Sequence, residues 1–157
     1  MFDVKIHSNN TSNEWLIRQF EVLKFSNATL EEKFIPRPDI SIVFHFKDQP
    51  LIRGEKNIQL EPYFAAPIIP SSLVLNFHGE MDTFIVICKP TVFTRVFDLD
   101  LTPVKKRSID LPREIFNQLW NELSVLTTTQ ERIHHFTGFI NSYQTTPYQP
   151  DAIDIFY

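Results

Sequence analysis

The sequence predicts a mainly β domain that ends in two helices, an α+β chain whose strands come first. Three observations predict it. ISIVFHF, from Ile40 to Phe46, alternates its large side chains with period two. Two further apolar stretches, Leu73–Phe77 and Thr83–Cys88, are rich in β-branched residues and flank a turn-like HGEMD. From Pro112 onward the apolar spacing changes to three and four residues, the period of a helix.

Taken in order, WLIRQFEVLKF (Trp15–Phe25) reads as a strand rather than a helix, because its neighbours are β and prolines punctuate the region. In ISIVFHF, Ile40, Ile42, Phe44 and Phe46 share one face, and Ser41, Val43 and His45 share the other, which describes a half-buried strand. Leu73–Phe77 and Thr83–Cys88 then form a hairpin through a turn at His78–Asp82. Lys89-Pro90 ends the second arm, and Pro90 opens a short helix near 90–98 with Val92, Phe93, Val96 and Phe97 on one face.

Asp110-Leu111-Pro112 introduces the next helix, striped by Ile115, Leu119, Leu123 and Leu126. Thr128 with Glu131 is a capping box, which starts a last helix carrying Ile133, Phe136, Ile140 and Tyr143. Phe116, Trp120 and Phe139 lie off these seams and, with Tyr143, are the candidate dimer interface. The chain thus divides into a β part (1–109), a helical pair (110–144), and a linker marked by Pro147 and Pro150 (145–157).

Composition bounds the function. The 157 residues are 43% hydrophobic and 22% charged, enough for one well-packed domain, and the core is unusually rich in phenylalanine, with 15 Phe against 3 Gly. Cys88 stands alone, which rules out an intramolecular disulfide and suits a reducing cytoplasm. MFDVKIHSNNTSNEW lacks the pattern of a secretory leader, and the sequence contains no apolar run of membrane-spanning length. A formal net charge of −4 argues against this chain gripping nucleic acid by itself; its compact basic run, Lys105-Lys106-Arg107, reads as a solvated turn.

Catalytic signatures are missing: the sequence contains no GxSxG, HExxH, CxxC or glycine-rich phosphate loop. His134 and His135 are adjacent on a helix and point about 100° apart, so they do not chelate one ion. His45 and His78 stand on or beside strands, but Phe44 and Phe46 flank a single His where a metal-binding jelly roll carries HxH. No metal, cofactor or enzyme activity is expected. Cys88 reads as a small buried hydrophobe, and Asp98 and Asp100 as a solvated face. One polar constellation suits a small ligand: Arg37, Asp39 and His45 around the strand start PRPDISIVFHF, placed polar groups beside a phenylalanine-lined sheet.

PRPDISIVFHF, FAAPIIPSS (64–72), FIVICKPTVFTRVF (84–97), SIDLP (108–112) and YQPDAIDIFY (148–157) occur in that order. In this order the chain resembles the N-terminal half of an AraC-family transcription regulator over residues 30–157. The resemblance implies a cupin-like jelly-roll β-barrel followed by an antiparallel helix pair, in a bacterial, cytoplasmic homodimer. It further implies a small-molecule effector, and DNA contact only through a helix-turn-helix domain that would follow Tyr157. No motif of a sugar-binding arm is present, so the effector is not implied. Two other readings predict differently: a small cupin-type metal-dependent enzyme would hold a metal, and a stand-alone interaction module would present the apolar IDIFY segment to a partner.

Overall fold

The computed structural model describes residues 4–8, 16–34, 39–52, 58–66, 73–90 and 112–143. They contain strands β1 (Val4–Ser8), β2 (Ile17–Phe34), β3 (Ile40–His45), β4 (Leu51–Ile52), β5 (Ile58–Gln59), β6 (Tyr63–Ala66) and β7 (Leu73–Cys88). Helices α1 (Arg113–Ser124) and α2 (Thr129–Tyr143) follow. The fold is a mainly antiparallel sheet with two C-terminal helices, as the change of period predicts. Residues 91–98 of the expected short helix near 90–98, Lys105–Arg107, Arg37 and the segment 145–157 lie outside the described residues.

The sheet order is β1-β2-β7-β3-β6, with β4 paired to β7 and β5 to β4, every pairing antiparallel. Among the described residues it does not close into a barrel. The expected hairpin through His78–Asp82 is not formed: Leu73–Cys88 is one strand of 16 residues. The cause is non-local. The 18-residue β2 pairs with β7 from Ile17↔Cys88 to Phe34↔Leu73, so both arms of the supposed hairpin find the same partner.

The residues that resemble a turn bend the strand instead. Gly79 has φ of +70°, a conformation open to glycine, and the register of β2 slips between Phe25 and Ala28 opposite it. Asp48 fixes the bend from the other side: its Oδ2 accepts the Glu80 N–H at 2.7 Å and its own N–H donates to the Glu80 carbonyl at 3.0 Å. A straight strand would hold Leu75 and Ile85 about 33 Å apart. Both pack on one cluster formed by Val43, Leu60 and Phe64, so the sheet curls around Gly79 and has a concave face.

The opposite face carries the helices. Phe20, Val22, Ile40, Ile42, Phe44, Phe84, Val86 and Cys88 pack there against Phe116, Leu119, Leu123, Phe136 and Ile140. The Phe136 ring meets Phe20, Phe44 and Phe84 edge-on, with centroids 6.5, 6.1 and 6.5 Å away. Each fully buried ring contributes about 1.5–3 kcal/mol, which is where the phenylalanine content acts. Helix α2 begins at the expected capping box, the Glu131 N–H donating to Thr128 Oγ1 at 3.1 Å.

Helix α1 is turned relative to the expected stripe. Phe116, Leu119 and Leu123 are buried, and Ile115 is 39% exposed. The larger ring takes the core position because it meets Phe139 of α2 edge-on at 5.5 Å. No helix among the described residues is long and apolar enough to cross a membrane.

Candidate functional site

Strand alternation sends Phe44 to the helix side and its neighbours Val43 and His45 to the concave side. The sequence pattern makes that second side solvent-facing, whereas Val43 is 8% and His45 only 3% exposed. The difference arises from neighbours that one strand viewed alone does not show: Phe64 stands opposite Val43 on β6, Leu60 packs beside them, and the curl brings Leu75 onto the same cluster.

His45 is the polar centre of this face. It stands opposite Thr83 in the β3–β7 ladder, and its Nδ1 shares a 2.8 Å hydrogen bond with the fully buried Thr83 Oγ1. The imidazole lies 5.9 Å from the Phe64 ring. Burial pushes its pKa down to about 4, so the ring is neutral at pH 7. Nε2 is shut away from water and has no hydrogen-bond partner among the described residues. An unpaired buried group of this kind costs about 1–3 kcal/mol, which a bound donor or acceptor offsets. Farther along the concave side, opposite Ile85, Glu21 is 6% exposed and accepts a 2.7 Å bond from Gln19 Nε2.

Behind the same two strands the helix layer is tied on by polar groups. The Trp120 indole N–H donates to the His45 carbonyl at 2.9 Å and its ring stacks on Phe46, centroids 6.1 Å apart. Arg132, 3% exposed, forms a two-pronged pair with Asp82 at 2.8 and 3.0 Å. It also donates to the carbonyls of Leu123 and Leu126 and lies 4.2 Å above the Phe46 ring. Burial opposes the Asp82 charge, but the hydrogen bonds and charge of Arg132, with Lys24 and Lys47 beyond, outweigh it and hold the carboxyl below its usual range.

Of the proposed trio, Arg37 lies outside the described residues, and Asp39 and His45 do not meet. Asp39 and His45 stand at opposite ends of β3, about 20 Å apart along an extended strand. Asp39 pairs instead with Arg18 Nε at 2.6 Å. Of the candidate interface residues, Phe116 is fully buried and offers nothing to a second protomer, whereas Trp120 and Phe139 are half-buried against the core. The Tyr143 side chain lies outside the described set.

Among the described residues no three His, Cys, Asp or Glu side chains gather as metal ligands. His78 is exposed and His45 buried. Cys88 is fully buried, and that burial, with the charge of Asp39, pushes its thiol well up and leaves it unreactive. At the bend an open cleft of about 300 Å³ is bordered by Lys24, Lys47 and Glu80, but Lys47 and Glu80 form an exposed pair that contributes little.

The sequence reading missed Thr83, Phe64, Glu21, Asp82 and Arg132. Two of these leave a trace. Thr83 is the polar residue opening an apolar run, and Arg132 stands one helical turn before the core residue Phe136, where a charge calls for a buried partner. No protein-family model matches the chain and no curated protein matches it.

Proposed function

We propose that this chain is the regulatory domain of a transcription regulator of the AraC type, sensing a small molecule and dimerising to control a DNA-binding domain beyond residue 157. In this reading the curled sheet is part of a cupin-like jelly roll and the protein works in the bacterial cytoplasm. The observation that carries the reading is the buried His45–Thr83 pair on the concave side, whose Nε2 has no partner among the described residues and which lies beside the apolar cluster of Val43, Leu60 and Phe64.

That surface suits a small, mainly apolar molecule with one hydroxyl or carbonyl group. The apolar body replaces contacts among Val43, Phe64 and Leu75, and the polar group completes the imidazole. The order of a curled sheet followed by two helices also supports the resemblance in the sequence. With Phe116 in the core, the half-buried Trp120 and Phe139 and the residue Tyr143 remain for a homodimer contact.

The reading frame after Tyr157 tests the proposal. A continuation into two helix-turn-helix units with a basic surface is the expected result; a stop codon removes the DNA-binding output and favours a stand-alone interaction module. Sedimentation tests the dimer, which a monomer at high micromolar concentration contradicts.

A further inference from the structure

The concave site and the helix layer meet at one step of the sheet, where two adjacent rungs join β3 to β7. His45 pairs with Thr83, and on the next rung the Phe46 N–H donates to the Asp82 carbonyl at 2.9 Å. Because successive residues point to opposite faces, His45 and Thr83 meet on the concave side while Phe46 and Asp82 point to the helices. There Phe46 lies beneath both the Trp120 ring and the Arg132 guanidinium, and Asp82 takes both prongs of Arg132. The His45 residue itself belongs to both sides. Its imidazole holds Thr83, and its carbonyl accepts the Trp120 indole N–H.

We propose that this step is a mechanical link: whatever draws on the His45 imidazole re-aims the His45 carbonyl and with it the α1 helix at Trp120. The proposal rests on the concave-face reading given above and adds its output. The link has few alternative paths to slacken it. Trp120 carries one polar hydrogen and has one acceptor, so a tilt of the 45–46 peptide either moves the indole or breaks its bond. Arg132 restricts the response to the helices, since from α2 it joins Asp82 to the Leu123 carbonyl in the last turn of α1 and to the Leu126 carbonyl just beyond it. A change at the imidazole therefore reaches both helices through groups that touch one another.

The linkage is reciprocal and needs no ligand to detect, so its test is separate from the test of sensing. The probe is the indole N–H resonance of Trp120 in the full chain, assigned by comparison with Trp120→Phe. Thr83→Val removes the hydroxyl that holds the imidazole and keeps the side-chain shape. Ile85→Val, on the same strand and face, removes a methyl and leaves His45 untouched. Thr83→Val is expected to shift the Trp120 resonance beyond its linewidth and to speed exchange of that proton at least tenfold. Trp120→Phe is expected to shift the His45 ring signals, and Ile85→Val to leave Trp120 in place. An unmoved Trp120 signal in a folded Thr83→Val protein overturns the link. So does an equal shift with Ile85→Val, since that reports a general loosening. If Thr83→Val does not fold, Thr83→Ser, which keeps the hydroxyl, and Trp120→Phe carry the test: an unshifted His45 ring in the latter overturns the link.

Discussion

Replacing Arg132 by Met tests the joint between sheet and helices. The Arg132 side chain is 4% exposed and the Asp82 side chain 16%, so the pair is taken from water nearly intact. Removing the arginine leaves a largely buried carboxylate without its two hydrogen bonds, 2.8 and 3.0 Å long, and leaves the Leu126 carbonyl without its 3.2 Å donor. Breaking a buried pair from one side costs about 3–5 kcal/mol, a large part of the 5–15 kcal/mol that holds a domain folded. Exchanging both partners, as Arg132→Met with Asp82→Leu, removes the stranded charge, and the double variant is expected to lose less than Arg132→Met alone. Urea unfolding at pH 7 reads both. Since the Asp82 pKa is depressed, the stabilisation is complete above the carboxyl's ordinary value of 3.8 and is lost as pH falls through the lower folded value. A loss under about 1 kcal/mol for Arg132→Met, or losses that simply add in the double variant, would refute this account of the clamp.

Three further predictions concern His45 and the glycines. The folded His45 pKa of about 4 lies below the ordinary 6.5, so the unfolded chain binds a proton first. Stability should then rise by about 3 kcal/mol from pH 4 to 6.5, and urea titrations of His45→Gln should lack that contribution. Gly79→Ala places a methyl at φ of +70° and in collision with Asp48 Oδ2. It should lower stability by about 1–2 kcal/mol or more in thermal unfolding, and Asp48→Ala should recover only the steric part. Gly138 lies exposed in α2 with open space around its missing Cβ, so Gly138→Ala should add about 0.5–1 kcal/mol and raise the melting temperature by a few degrees.

What the sequence made legible was local. Alternation located β3, the capping box located α2, and the change of period placed the helices last. What it hid was pairing at long range. HGEMD carries turn chemistry, but the long partner β2 and the side chain of Asp48 make it a bend within one strand. The site is hidden in the same way: His45 looks solvent-facing in β3 alone, whereas it is 3% exposed and the ring of Phe64, remote in sequence, lies 5.9 Å from its imidazole. Choosing Ile115 over Phe116 for the core of α1 failed for a related reason, since the choice is made by Phe139 on the facing helix. Asp39 and His45 are close in sequence, yet an extended strand turns a short interval into a long distance.

The central claim is that the concave face binds a small molecule through His45. It is tested most directly by a thermal-shift screen of small apolar alcohols and ketones on the wild-type chain and on His45→Phe. A ligand that binds the folded state adds about 2.7 kcal/mol at a hundred times its dissociation constant, a rise of about 5–10 °C for a domain of this size. The account predicts at least one compound that raises the melting temperature of the wild type and leaves that of His45→Phe unchanged. Equal shifts in the two proteins, or no shift across the class, would contradict it.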